Sequence, residues 1–324
     1  MPTPIRLGIV GFGIMGERLL RAALEHAPDY VVPAGVWDPS PQALARLAGV
    51  PGGPPMLPSA EAVIAACDCL YVATPPAAHL PWAEAALAAG RALFLEKPLA
   101  TDLPSARAFV AAANGARAAV NFPMASSPAV AQLATWQAGM TPASLAIEVA
   151  FATWPRGWQQ DAAGWLARRA EGGFTREVVS HFLFLTQRML GPLELLEAAV
   201  TYPAGDDAAE TAITAALRAG SVPVTLRGGV GTTAQDDHNS WTLNGAIRLR
   251  DWSFAERLQD DGAWAQAPGA LPNDRMRPLV LRDQLRAVAA MTRGEEHRLA
   301  TLREALAVQE MVEGMLKPAP RRPG

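Results

Sequence analysis

Ile5-Arg6-Leu7-Gly8-Ile9-Val10-Gly11-Phe12-Gly13-Ile14-Met15-Gly16 joins an apolar run to three glycines spaced Gly-x-Gly-x-x-Gly. Ile5 to Val10 predicts a buried strand, and Ile14 to His26, with Leu19, Leu20, Ala23 and Leu24 at helical spacing, predicts the helix that follows. In a strand, turn and helix of this kind the first glycine permits the tight turn. The second lets the backbone approach a pyrophosphate, and the third lets helix and strand pack closely. The anion then rests on free amides at the helix N-terminus. A second strand, Val31 to Trp37, ends at Asp38, where a carboxylate accepts hydrogen bonds from an adenosine ribose. That carboxylate repels a 2′-phosphate, which favours NAD; Ser40 and Arg46 nearby leave NADP open.

Outward from this stretch, short apolar runs alternate with helical patterns, which predicts a parallel sheet covered by helices. A helix over Pro41 to Ala48 precedes the Pro/Gly-rich stretch Val50 to Pro58, a loop on composition. Ser59 caps a helix through Ala66, and Leu70 to Ala73 forms the third strand. Thr74-Pro75-Pro76 breaks that strand before a helix over Ala77 to Ala89, and Gly90 ends the helix. Strand Ala92 to Leu95, helix Pro104 to Ala113 and strand Ala118 to Phe122 complete the unit. Thr74, Pro75 and His79 fall at the carboxyl edge where open α/β sheets bind ligands. The Pro-containing turn there packs beside a nicotinamide ribose, and His79 either contacts cofactor or caps the following helix.

Glu96-Lys97-Pro98 leaves the same edge one strand later. The chain writes twenty-six arginines and two lysines, Lys97 and Lys317. Where a positive charge alone is needed this sequence uses Arg, so Lys97 marks chemistry that suits an ammonium able to shift its pKa and give up a proton.

From Pro123 the grammar changes to strand-like runs at Leu145 to Phe151, Leu195 to Tyr202, Ala209 to Leu217, Pro223 to Gly231, Ser240 to Asn244 and Ala246 to Arg250. Asn244-Gly245 is a hairpin signal. Helices are expected over Thr175 to Leu190, Arg282 to Met291 and Leu299 to Leu316. The fold class is therefore α/β: a Rossmann dinucleotide-binding domain over 1–122, then an α+β domain with a mostly antiparallel, open-faced sheet over 123–316. The tail 317–324 is expected to be disordered. A bare sheet face predicts a homodimer or homotetramer.

A formal charge of -3 over 324 residues carries no basic footprint, which argues against nucleic-acid or membrane partners and for a small-molecule substrate. Cys67 and Cys69 are too close for an ordinary bridge and too few for a zinc cage, and they fit a reducing compartment. The histidines and acidic pairs show no metal-ligand spacing. With no leader pattern and no apolar stretch long enough to span a bilayer, the expected location is the cytoplasm.

The set Gly11 to Gly16, Ala73-Thr74-Pro75-Pro76 with His79, and Glu96-Lys97-Pro98 resembles the Gfo/Idh/MocA family, the group of glucose–fructose oxidoreductase and inositol dehydrogenase. The closing Glu304-Ala305-Leu306-Ala307-Val308-Gln309 through Met315-Leu316 is similar to the family's last helix. The resemblance implies a nicotinamide cofactor and a polyol, sugar or related cyclic substrate. It implies that Lys97 touches both cofactor and substrate, with a cis proline often following, and that Asn121 lies near the nicotinamide. The family's helix carrying an Asp and, four residues later, a His corresponds to Gly172-Gly173-Phe174-Thr175-Arg176-Glu177-Val178-Val179-Ser180-His181. Glu177 replaces the Asp, and Val179 stands where glycine is common. By the resemblance His181 is the acid/base and Lys97 the polariser or a proton relay, with Glu177 orienting a hydroxyl or His181. Arg156, Trp165, Trp154 and Trp158 precede this helix and are candidates to wall a substrate pocket; core packing or a subunit interface explains them equally well.

The expected activity is hydride transfer between nicotinamide and a small hydroxylated substrate. Two alternatives stand beside it: reduction of an imine or enamine, and a cofactor-binding sensor without turnover, the latter suggested by the altered Glu177 and Val179.

Overall fold

The computed structural model describes residues 2–205 and 207–317, and the tail expected to be disordered lies, from 318 on, outside them. The chain divides into two compact units.

The first contains β1 (Ile5–Val10), α1 (Ile14–His26), β2 (Val31–Trp37), α2 (Pro41–Ala48), α3 (Ala60–Ala66), β3 (Cys69–Val72), α4 (His79–Ala88), β4 (Ala92–Leu95), α5 (Leu103–Ala112) and β5 (Ala118–Val120). All five strands run parallel in the order β2-β1-β3-β4-β5. β3 and β4 are buried at every residue, as strands covered on both faces must be. Gly8 explains how α3 sits so close to β1: a Cβ there would lie 2.6 Å from Val63 Cγ1. The Pro/Gly-rich stretch does more than connect. Met56 bridges Val36 and the Leu57 N–H donates to the Val36 carbonyl at 2.8 Å, so the segment satisfies part of the outer edge of β2. Burial pushes the Cys67 thiol up to about 11 and the Cys69 thiol up to about 12, so both are unreactive core residues.

The second unit contains α6 (Pro128–Gln137), β6 (Leu145–Phe151), α7 (Ala163–Leu166), α8 (Ser180–Leu190), β7 (Leu193–Thr201), β8 (Ala212–Ala219), β9 (Val222–Val230), β10 (Asp237–Leu243), β11 (Ile247–Arg250), β12 (Phe254–Leu258) and β13 (Trp264–Gln266). These strands form one sheet ordered β13-β12-β11-β10-β6-β9-β8-β7, antiparallel throughout except for β6 beside β9. Alternation is clear: Leu145, Ile147, Val149 and Phe151 are buried while Glu148 between them is exposed, and Val222, Val224 and Leu226 alternate with exposed Pro223, Thr225 and Arg227. The buried face packs on α8 and α6, where the Trp241 indole N–H donates to Thr186 Oγ1 at 2.9 Å. Two final helices follow, α9 (Asn273–Arg293) and α10 (Leu302–Leu316).

The expected second domain of 123–316 requires a correction. Residues 277–306 belong to the first unit, because Leu281, Leu285, Val288 and Ala289 of α9 join the core that covers β1, β3 and β4. The chain returns to its N-terminal unit before ending in the second. α9 also starts nine residues earlier than the expected Arg282, with Pro278 inside the helix.

Candidate active site

The glycines of the 11–16 loop divide their work. Gly11 has φ +92°, and a Cβ there would lie 2.5 Å from Ala73 C and Thr74 N, because the β3 turn passes against it. A Cβ at Gly16 would overlap the Gly11 carbonyl oxygen. Gly13, the N-cap of α1, has φ −81° and meets nothing within 4 Å. The first and third glycines are therefore required by packing, while the middle one leaves open space at the first turn of a 13-residue helix. That open cradle and its amides fit a dinucleotide pyrophosphate. Asp38 braces the loop: its Oδ2 accepts the Phe12 N–H at 2.6 Å and its Oδ1 the Ser40 N–H at 2.8 Å. Phe12 turns its ring into the core, and Ile14 and Met15 are half-buried beside the cradle. Arg46 pairs with Glu17 at 3.4 Å, and Glu17 also binds Arg21 at 2.8 Å.

Along the same carboxyl edge, Thr74 Oγ1 is buried with no hydrogen-bond partner among the described residues, and Pro75 is exposed. His79 neither caps α4 nor faces outward. It is 1% exposed, with Nδ1 2.7 Å from the Pro98 carbonyl and Nε2 2.8 Å from the Thr74 carbonyl. Burial holds its imidazole below the usual range. The expectation of a direct cofactor contact or a helix cap therefore gives way to a buried ring set between the loops after β3 and β4, its single N–H donating to one of the two carbonyls. The Lys97–Pro98 bond is cis, and Lys97 is half-buried at the end of β4.

Glu96 and Asn121, the first residues beyond β4 and β5, face each other in a buried network. Glu96 Oε1 accepts the Tyr71 hydroxyl and the Asn121 amide at 2.6 Å. Asn121 Oδ1 in turn accepts from Gln284 Nε2 of α9 at 2.7 Å. Asn121 is thus the hub of an internal network. Tyr71 and Gln284 carried no sequence signal, since each sits in an ordinary strand or helix pattern.

In the second unit Glu177 and His181 lie on one continuous helical segment, both half-buried. The expected α-helix from Thr175 differs at its start, because Thr175–Val179 form a π-helical turn before α8. The double glycine is explained locally. A Cβ on Gly172 would strike the Leu166 carbonyl, and one on Gly173, φ +98°, would strike the Glu210 carboxylate. Glu210, 2% exposed, accepts the Thr175 N–H at 2.7 Å and so anchors the start of the segment. Burial raises its pKa despite that bond and the nearby Arg176. Trp252, at φ +71°, sets its ring 5.4 Å from His181 and 5.3 Å from Phe182. Neither Glu210 nor Trp252 was foreseen.

Arg156, the expected substrate cation, is engaged by neighbouring side chains. Its guanidinium binds Asp237 at 2.5 Å and Gln159 at 2.9 Å, and stacks 4.7 Å from the Trp158 ring and 5.7 Å from the Trp154 ring. Trp154 packs on Phe151 and Phe174, so it belongs to a structural cluster. Trp165 is half-buried on α7. Among the described residues no group of three or more His, Cys, Asp or Glu is arranged to hold a metal ion, and no helix is long and apolar enough to cross a membrane.

The sequence of the first unit matches the model of the Gfo/Idh/MocA oxidoreductase family, NAD-binding Rossmann fold, over residues 5–122. The match covers about a third of the chain, and over that stretch the sequence is similar to this family's NAD-binding domain. The glycine cradle and Asp38 lie within the matched stretch, whose model is that of an NAD-binding Rossmann fold. The whole-chain fold is shared with solved structures. Levoglucosan dehydrogenase in complex with NADH superposes with a TM-score of 0.80 at 15% identity, covering 97% of this chain and 96% of that one. An oxidoreductase from Thermotoga maritima gives 0.78 at 16% identity, with 97% and 96% covered. The WlbA dehydrogenase from Bordetella pertussis, in complex with NADH and UDP-GlcNAcA, gives 0.72 at 23% identity, with 96% and 94% covered. At these identities the likeness is one of fold. No curated protein matches the chain by sequence.

Proposed function

We propose that this protein is an NAD-dependent dehydrogenase of the Gfo/Idh/MocA kind, acting on a neutral, hydroxylated ring such as a sugar, polyol or inositol. The observation that carries this is the open Gly13 cradle on the same carboxyl sheet edge that bears Lys97. Gly11 to Gly16 hold the pyrophosphate, Asp38 the adenosine ribose, and Thr74 and Pro75 flank the nicotinamide end. The buried, unpartnered Thr74 hydroxyl suits a ribose or carboxamide partner there.

A bound nicotinamide supplies the hydride acceptor or donor at C4. Lys97 holds the reacting oxygen and stabilises the negative charge it carries after its proton has left and before hydride departure turns it into a carbonyl. His181 takes the hydroxyl proton in oxidation and returns it in reduction. Glu177, in the place of the family's Asp, orients a second hydroxyl or the His181 ring. Trp165 remains a candidate pocket wall. The commitment of Arg156 to Asp237 supports an uncharged substrate over a carboxylate. The names of two structural relatives, a levoglucosan and a UDP-sugar enzyme, favour a ring substrate. A second copy of the chain is proposed as the occupant of the open sheet face, where Glu148 stands in register with Arg227; light scattering reads the assembly.

The test is a panel of sugars, polyols and inositols incubated with NAD and followed at the reduced-nicotinamide absorbance. Turnover that disappears in Lys97→Ala and His181→Ala while NADH still binds is expected. Binding with turnover only on cyclic imines would transfer the same residues to nitrogen protonation and overturn the alcohol reading.

A further inference from the structure

The Tyr71, Glu96, Asn121 and Gln284 network is a buried polar cluster on the sheet edge that the reaction above does not use. Its donors all point the same way. Gln284 Nε2 donates to Asn121 Oδ1 at 2.7 Å, which turns the Asn121 amide nitrogen toward Glu96 Oε1 at 2.6 Å. The Tyr71 hydroxyl donates to that same oxygen. All four residues belong to the first unit, with Asn121 and Gln284 at most 1% exposed and Glu96 8% exposed. A buried acid receiving two donors on one oxygen is held as the carboxylate, because hydrogen bonds to the charged form favour it. Tyr71 stays a donor, since burial raises its hydroxyl well above its usual range and the Glu96 charge raises it further.

The place of this charge matters. On the dehydrogenase reading the adenosine end lies at Asp38 after β2 and the pyrophosphate at Gly13 between β1 and α1, which puts the nicotinamide end on the side of β3, β4 and β5. Glu96 is the first residue past β4. An oxidised nicotinamide ring carries a positive charge that hydride addition removes. A fixed anion near it therefore binds the oxidised form better than the reduced form.

We propose that Glu96, held ionised by Tyr71 and by Asn121 through Gln284, biases the site toward the oxidised nicotinamide and so sets the ratio of NAD to NADH affinity. Tyr71 and Gln284 are positioning residues in this device. The proposal rests on the dehydrogenase reading only for the cofactor, and needs no substrate.

The experiment is titration of the purified protein with NAD and, separately, with NADH. In Glu96→Gln, which keeps an acceptor but removes the charge, NAD affinity falls about tenfold relative to NADH affinity. Tyr71→Phe removes one donor and moves the ratio in the same direction by about threefold. Should Glu96→Gln fail to fold, Tyr71→Phe carries the test alone. Affinities for both nucleotides that change in parallel, or not at all, would overturn the proposal while leaving the dehydrogenase reading intact. Absence of binding to either nucleotide in the unaltered protein would overturn both.

Discussion

Replacing Gly11 and Gly13 separately by alanine separates packing from ligand binding within one loop. At Gly11 the new methyl would stand 2.5 Å from Ala73 C and Thr74 N, where about 3.5 Å is comfortable, so the β3 turn must retreat by about 1 Å. Overpacking of that size costs roughly 1–3 kcal/mol, and a side chain at φ +92° adds roughly 1–2 kcal/mol, so Gly11→Ala loses about 3 kcal/mol. At Gly13 the backbone is extended and nothing lies within 4 Å, so no clash arises. Reduced unfolded-state entropy and a poorer N-cap offset each other there, and Gly13→Ala stays within about 1 kcal/mol of the parent. Its methyl nevertheless occupies the cradle proposed for pyrophosphate, and NADH affinity should fall at least about tenfold. Chemical denaturation reads the stabilities and fluorescence titration reads the affinity. A Gly13→Ala protein that binds NADH like the parent would refute the cradle, and a fully stable Gly11→Ala protein would refute the packing argument.

Three further outcomes follow from the same geometry. Because burial depresses the His79 pKa below 6.5, the unfolded chain takes up a proton that the folded one resists. Stability is then full above about pH 6.5 and declines as pH falls through that value, and thermal melts from about pH 7.5 to about pH 5.5 should show a shallower decline in His79→Gln. Glu210 has the opposite sign: its raised pKa means that stability is lost as pH rises past about 4.5, so Glu210→Gln, which can still accept the Thr175 N–H, should hold its melting temperature near neutral pH. Arg156→Ala leaves Asp237 without its partner and should cost about 3 kcal/mol in denaturation, with substrate KM barely changed in the protein that remains folded.

The first unit was legible because its strands and helices each carry one strong period and its turns carry glycine or proline where the backbone needs them. The second unit was harder. β12 reads as polar because Glu256 points inward, held by Arg248 at 2.5 Å and Arg250 at 2.8 Å, a pairing no single-strand pattern reveals. β13 has three residues, too few for any period to show. The start of α6 was readable in Ser127-Pro128, an N-cap followed by proline, but no apolar stripe followed it. Pro278 hid the first turns of α9, and with them the return of the chain to the first unit. For the proposed site, motif spacing named Gly11 to Gly16, Asp38 and Lys97, and the family resemblance named Glu177 and His181. Burial decided the rest: His79 and Asn121 turn inward, to a place between two loops and to a hub, and Arg156 meets Asp237 across 81 residues of sequence.

The most direct test of the proposed activity is reduction of NAD by a panel of sugars, polyols and inositols, run beside NADH titration of the parent and Lys97→Ala proteins. The account predicts turnover with at least one neutral ring substrate, abolished in Lys97→Ala with NADH affinity retained. Turnover that survives loss of the Lys97 ammonium, or no NADH binding by the parent, would contradict it.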